Sequence, residues 1–576
     1  MPSLSDMLRT QDSQLLGAVE ATLAEWQAGG KVRRLWSKDA SLWSGQDEAK
    51  WLDWLNVVEA QLADDSHLQR MADDVQGGRF QHVVVLGMGG SSLCPEVLRK
   101  TFGVVAGFPE LHVLDSMVPA QVATLRGKLN LARTLFIVAS KSGSTLEPNA
   151  FKQYFYEEVR RTVGDDKVGS HFVAVTDPGT KMNEIATAGR FRQIFFGRKE
   201  IGGRYSALSN FGMIPAAAMG LNVRDFLERT RTMVRACGPE SPATENPGVV
   251  LGAIVGTAAK RGRDKLTIVA SPAIGSLGAW LEQLIAESTG KLGHGIIPVD
   301  DERIASPNAC DTDRLFVYVR LATSPNVDQD TAVSALERSG QPVLRIDVAH
   351  PADMGKEFFR WEIATAVAGS ILGINPFDQP DVEAAKVAAK TLSSAYESSG
   401  VLPDEKFFAA DDTLRLQTDP NNEMQLRKSA RGGEVASILA AHLARLCPGD
   451  YFAINAYVEM NEVNHRLLSD IRHAVRDAKR VATTLGFGPR FLHSTGQLHK
   501  GGPNSGVFLQ ITSDDAADLT IPGMKSTFGL VKRFQAQGDF DVLAQRRRRA
   551  LRVHLGANVE AGLVQLRDQI AAIVRG

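Results

Sequence analysis

From about residue 78 onward, short unbroken apolar runs alternate with helix-length segments. Val83-Val84-Val85-Leu86, His112-Val113-Leu114, Leu135 to Ala139 and Phe172 to Val175 each precede such a segment, and Phe195-Phe196 suggests a fifth run. Leu266 to Ala270, Leu315 to Val319 and Val343 to Val348 repeat the arrangement further on. A strand with no polar alternation must be covered on both faces. The pattern therefore predicts an α/β chain of doubly wound parallel sheets. In such sheets ligands sit beyond the carboxyl ends of the strands, where the strand order reverses.

With 576 residues the chain is too long for one core. The reading divides it into an N-terminal helical segment over 1–76, a first sheet domain over 77–235 and a second over 236–576. The second carries a helical insertion at about 400–485, and the two αβ halves are expected to share one architecture. Trp26, Trp36, Trp43, Trp51 and Trp54 crowd the first segment. They read as packing against the next domain rather than as a ligand platform.

A net charge of −1 gives no electrostatic footprint for nucleic acid. Arg546 to Arg549 is the one basic run and reads as a solvated helix face. Cys94, Cys237, Cys310 and Cys447 fit no metal or redox spacing, so reduced thiols in a cytoplasmic protein are expected. Neither a signal-peptide core nor an apolar run long enough for a membrane span is visible.

Two turns at strand ends carry the chemistry. Gly87 to Ser92, GMGGSS, leaves little side-chain bulk beside the backbone, as a ligand turn or a tight turn requires. Ser140 to Pro148, SKSGSTLEP, combines hydroxyls, backbone N–H groups, a lysine and a helix start. Those features suit an anion, and they also suit an ordinary helix cap. Arg204 sits on a glycine turn, as an anion clamp or as an interface ion pair. Gln283 and Glu287 are four apart and share a helix face, with Glu287 a candidate base. Gln379 and Lys386 lie seven apart after a proline, and His493 follows a strand end.

Six motifs together resemble one family, the glucose-6-phosphate isomerases (phosphoglucose isomerases), which are built from SIS-type sugar-isomerase domains. They are GMGGS at 87–91, SKSGSTLE at 140–147, GGRYS at 202–206, QLIAESTGK at 283–291, NPFDQPDVEAAK at 375–386 and HSTGQ at 493–497. The likeness is nearest to the isomerase half of bifunctional transaldolase/phosphoglucose isomerase proteins, although no transaldolase part is present. It implies reversible isomerisation of glucose 6-phosphate and fructose 6-phosphate through an enediolate, with no cofactor and no metal. The alternatives are a non-catalytic sugar-phosphate-binding module and an isomerase that also accepts mannose 6-phosphate.

The resemblance also implies roles. Gly90 and Ser91 would line the sugar phosphate, and Ser140, Lys141, Ser142 and Thr145 would hold the phosphate. Arg204 would stabilise the enediolate and Glu287 would move the proton. Gln283 and Gln379 would contact the sugar, while His493 and Lys386 would open the ring. In the family that histidine crosses a dimer interface, so a homodimer is expected. The histidine motif precedes the lysine motif in the family and follows it here. Either a segment is permuted or His493 is not equivalent, with His350 and His294 in reserve. Pro148 and Asp381 replace a threonine and a glycine of the family pattern.

Overall fold

The computed structural model describes residues 4–401 and 405–575. Helix Ser13–Ala28 and shorter turns wrap the N-terminal segment around two later units, and a two-residue strand, β1 (Leu8–Arg9), joins the edge of the second sheet. The tryptophans are structural. Trp26 and Trp54 are fully buried, and Trp54 stacks on Tyr205 with ring centroids 5.2 Å apart. The Trp43 indole donates to the Ala366 carbonyl at 2.8 Å.

The first sheet holds β2 (His82–Leu86), β3 (Glu110–Leu114), β4 (Thr134–Ala139), β5 (Phe172–Thr176) and β6 (Gln193–Phe196), all parallel, in the order β3-β2-β4-β5-β6. Its apolar runs serve two cores at once. Val83 and Val85 pack with the N-terminal segment and the second unit. Val84 and Leu86 pack on the opposite face with Phe136 and Phe151. The two-residue side-chain period thus places alternate valines in different clusters.

The second sheet contains β7 (Lys265–Ala270), β8 (Ile297–Val299), β9 (Arg314–Leu321) and β10 (Val343–Val348), in the order β8-β7-β9-β10 with β1 antiparallel at the edge.

The stretch expected to be a helical insertion belongs instead to a third sheet. It comprises β11 (Ala409–Ala410), β12 (Leu414–Gln417), β13 (Tyr451–Ala456), β14 (Ala482–Phe487), β15 (Gly506–Ser513) and β16 (Arg549–Leu555). The order is β11-β12-β16-β15-β13-β14, and β11 and β12 are antiparallel. Its parallel part, β14-β13-β15-β16, repeats the order of the other two. In each sheet the second strand flanks the first on one side and the third flanks it on the other. One architecture therefore occurs three times, and 236–576 contains two sheets rather than one. The third unit has its own core, around Phe452, Ile471 and Leu551.

The third unit also reaches back to the first. Phe528 and Val531 of helix Phe528–Gln545 are buried in the core formed by Phe136 and Phe151. Burying a side chain such as Phe528 stabilises by roughly 1.5–3 kcal/mol. Arg546 to Arg549 forms the turn into β16 rather than a solvated helix face. Arg546 pairs with Asp381 at 2.5 Å, Arg549 pairs with Asp450 at 2.7 Å, and buried Arg548 donates to the Lys500 and Gly502 carbonyls. Three of the four guanidinium groups thus hold the fold together.

Cys94, Cys237 and Cys310 are buried free thiols and Cys447 is exposed. No helix among the described residues is long and apolar enough to cross a membrane.

Candidate active site

In the first sheet the strand order reverses between β2 and β4, which are adjacent, with Leu86 opposite Val138. Gly87–Ser92 leaves the carboxyl end of β2 and Ser140–Thr145 leaves that of β4, so both turns open into one crevice. Close backbone approach explains the glycines. A Cβ on Gly90 would lie 1.9 Å from the Gly203 carbonyl oxygen. Gly89 has φ +58°, and a Cβ there would meet the Gln283 amide at 2.9 Å and His493 at 3.1 Å. The turn after β2 is therefore pressed against the Arg204 loop, the helix that carries Gln283, and His493.

The turn after β4 is braced from within. Gly143 has φ +68°, and the Asn149 amide donates to the Gly143 and Thr145 carbonyls. The Ser142 and Ser144 hydroxyls lie 2.9 Å apart. Thr145 occupies the N-cap of helix Leu146–Val163, and Pro148 falls in its first turn, where a missing N–H costs no helical bond. The Ser140 hydroxyl is buried and has no hydrogen-bond partner. Lys141 pairs with Asp177 at 2.5 Å and donates to the Lys199 carbonyl, so its charge is already matched within the protein.

Arg204 is 3% exposed, and every nitrogen of its guanidinium is engaged. Nε donates to the Ser288 hydroxyl at 2.8 Å and Nη1 to Gln379 Oε1 at 3.0 Å. Nη2 donates to the Pro376 and Asp378 carbonyls at 2.7 and 2.9 Å. Glu287 Oε1 lies 3.3 Å from Nη1. The carboxylate comes from helix Leu277–Thr289, where Gln283 stands one turn earlier and donates to Glu287 Oε2 at 3.1 Å and to the His493 carbonyl at 2.8 Å. Behind this group Lys291 Nζ donates to the Asn375 and Asp378 carbonyls and pairs with the Asp378 carboxylate at 2.6 Å. Burial, reinforced by the nearby Arg204 charge, brings the Lys291 ammonium down to about 8.

His493 reaches the crevice from the third unit of the same chain. Its Nε2 lies 3.0 Å from Glu147 Oε1, and the Gln535 amide donates to the same oxygen at 2.6 Å. Burial alone would raise the Glu147 pKa. The His493 ring and its hydrogen bond outweigh that and hold the carboxyl below its ordinary value. Glu147 was not singled out in the sequence, although it closes the SKSGSTLE motif as the acidic residue in a helix first turn. The reserve histidines stand elsewhere. The His350 ring caps the turn at Ala352, and the His294 side chain is exposed.

One expected residue is not brought in. Helix Pro380–Ser399 begins beside Gln379, which contacts Arg204. Lys386 is seven residues further along, about 10 Å up the helix axis. Its ammonium is half exposed and pairs with Glu383 at 2.9 Å. The start of the helix is fixed by Asp381, whose carboxylate accepts from the Gln497 amide at 2.9 Å and pairs with Arg546. The crevice thus gathers Gly90, Ser91, Ser140, Ser142, Thr145, Arg204, Gln283, Glu287, Gln379 and His493; Lys141 stands on the same turn but is paired with Asp177, and Lys386 is left on the surface.

The chain resembles known proteins. Residues 55–300 match the family model for phosphoglucose isomerase. A glucose-6-phosphate isomerase of Rubrobacter xylanophilus is 28% identical over 365 residues, covering 55% of this chain and 83% of the relative. One from Thermosynechococcus vestitus is also 28% identical, over 54% of this chain and 66% of the relative. A hypothetical protein of Thermus thermophilus superposes with a TM-score of 0.57 at 24% identity, covering 67% of this chain and 99% of its own. A glucose-6-phosphate isomerase of Chlamydia trachomatis gives 0.50 at 21%, over 64% and 78%. The two structures speak for the fold, and about a third of this chain has no counterpart in the Thermus protein. Over residues 55–300, and through relatives 28% identical to it, the chain is similar to the phosphoglucose isomerase family.

Proposed function

We propose that this chain interconverts glucose 6-phosphate and fructose 6-phosphate, an aldose–ketose isomerisation through an enediolate. The observation that carries the reading is the buried Glu287 carboxylate, 3.3 Å from an Arg204 guanidinium that is itself fixed by four other acceptors. A base beside a fixed cation suits a proton transfer that leaves negative charge on an adjacent oxygen.

Glu287 takes the proton from the second carbon of the open-chain aldose. The C–H electron pair forms the enediol double bond, and the former carbonyl oxygen takes up the charge facing Arg204. A proton then passes from the second-carbon hydroxyl to that oxygen, and as the second oxygen becomes the carbonyl Glu287 returns its proton to the first carbon, which gives the ketose. Ser140, Ser142, Thr145 and the helix N-terminus hold the phosphate, which anchors the reacting end through remote binding energy. Gly90 and Ser91 line the sugar, and Gln283 and Gln379 position it. His493, oriented by Glu147, exchanges protons with the ring and anomeric oxygens during ring opening. Lys386, half exposed and paired with Glu383, takes no part in this scheme.

The expected homodimer rested on a histidine donated across an interface. His493 is supplied here by the same chain, so that argument for a second copy falls away. A purely sugar-phosphate-binding module would need the phosphate turn but not a glutamate set against a buried arginine. A cytoplasmic setting accords with the reduced cysteines.

The test is turnover of fructose 6-phosphate by purified wild-type protein and by Glu287→Gln. Turnover is expected to fall by about a thousandfold or more in the variant, with sugar-phosphate binding kept. Wild-type turnover in Glu287→Gln would remove Glu287 from the mechanism, and inactive wild-type protein that still binds sugar phosphate would favour the binding module. Offering glucose and mannose 6-phosphates together reads the specificity at the second carbon.

A further inference from the structure

At the opposite end of β2 from the glycine turn, three potential metal ligands meet. His82 begins β2, and Glu110 and His112 lie on the neighbouring edge strand β3. The parallel register pairs His82 with Glu110 and Val84 with His112. Residues paired or two apart share a face, so all three side chains project from the same side of the sheet. His82 Nδ1 lies 3.1 Å from His112 Nε2, and His112 Nε2 lies 3.6 Å from Glu110 Oε2. The three ligand atoms fall within 4.8 Å of one another, the one such grouping among the described residues.

We propose that His82, Glu110 and His112 bind a divalent transition-metal ion of the zinc class. Two imidazoles and one carboxylate form a borderline ligand set suited to such an ion, and water completes the shell. In a tetrahedral site with bonds of about 2.0–2.1 Å, neighbouring ligand atoms lie about 3.3 Å apart. The observed separations are close to that, so small rotamer adjustments bring the three onto one ion. The graded exposure fits an entry path. His112 is buried, His82 is intermediate and Glu110 is exposed, which leaves the carboxylate side open to solvent.

The ion would pin the edge strand to its neighbour. Five residues of β2 separate it from the catalytic crevice, about 17 Å along the strand, so its effect falls on the stability of the first unit and not on the reaction.

The experiment uses full-length, tag-free protein stripped with a chelator. Equilibrium dialysis against zinc gives stoichiometry and affinity, and cobalt substitution reads geometry through its visible absorption. One ion per chain with a dissociation constant near or below about 1 µM is expected, with a tetrahedral cobalt spectrum. His82→Ala and the exposed-site variant Glu110→Gln should each weaken binding at least tenfold. Both should keep wild-type isomerase activity, which shows that they fold. Absence of stoichiometric binding in the wild-type protein would overturn the proposal. So would undiminished binding in both variants, which would place the ion elsewhere.

Discussion

His493 Nε2 lies 3.0 Å from Glu147 Oε1, and the two residues are 346 positions apart in one chain. The third sheet brings the histidine to the crevice that the first sheet opens. One copy therefore holds the whole set of groups proposed for catalysis. Mixing Glu287→Gln with His493→Ala tests this directly. Sites shared between copies would regain up to about a quarter of wild-type turnover on subunit exchange. We expect none, together with wild-type activity proportional to concentration on dilution. Recovery in the mixture would show that His493 works in trans.

Glu147→Gln keeps the size of the side chain and removes its charge. The His493 ring would lose the carboxylate that orients it. Turnover of the ring-closed substrate should fall by roughly a hundredfold, with phosphate affinity unchanged. Stopped-flow comparison with an open-chain substrate analogue reads the difference. An equal loss on both would place the role of Glu147 outside ring opening.

Lys386→Ala should leave kcat within about twofold, because an exposed i,i+3 pair with Glu383 contributes little. Steady-state kinetics decide it. A loss of a hundredfold or more would mean that helix Pro380–Ser399 turns the lysine inward when substrate binds.

Glu282 accepts a hydrogen bond from the Ser494 hydroxyl at 3.2 Å. Burial pushes its carboxyl up to about 7, and the Ser494 hydroxyl only partly opposes this. Asp300 beside it is raised as well, by burial and by Glu282, while Arg472 pulls both carboxyls down. A carboxyl that binds its proton more tightly when folded contributes stability that is complete below the unfolded value of 4.5 and is lost as pH rises through about 7. The loss amounts to about 3 kcal/mol at most. Chemical denaturation at pH 5 and pH 8 should show the wild type less stable at the higher pH, and Glu282→Gln should reduce that difference. An unchanged difference would assign it to Asp300.

Much of the first sheet was legible because its strands are uninterrupted apolar runs. A run such as Val83 to Leu86 can only be a strand buried on both faces. The turns after β2 and β4 stood out for the same reason, since glycine and serine follow valine and alanine directly. The third sheet was hidden by two local features. The helix ending at Lys479 is closed by Arg480 at φ +60°, so neither glycine nor proline marks its end before β14 begins. In β16, Arg549, Arg552 and His554 interrupt the apolar pattern. Arg552 is nevertheless buried and donates to Gln510, Gln417 and Gln537. A polar network inside a sheet looks, in sequence, like a solvated face. Lys386 failed for a different reason. A shared helix face says nothing about depth, and two turns of helix carried the ammonium out of the crevice.

The pairing of Lys141 with Asp177 changes what the phosphate turn can recognise. With that ammonium neutralised inside the protein, the seat consists of hydroxyls, backbone N–H groups and a helix end, all of them fixed dipoles. Dipoles discriminate by direction and fade quickly with distance, whereas a free lysine attracts any anion from afar. Such a seat would be filled by fit, and added salt would screen it less than it would a seat built on a free charge.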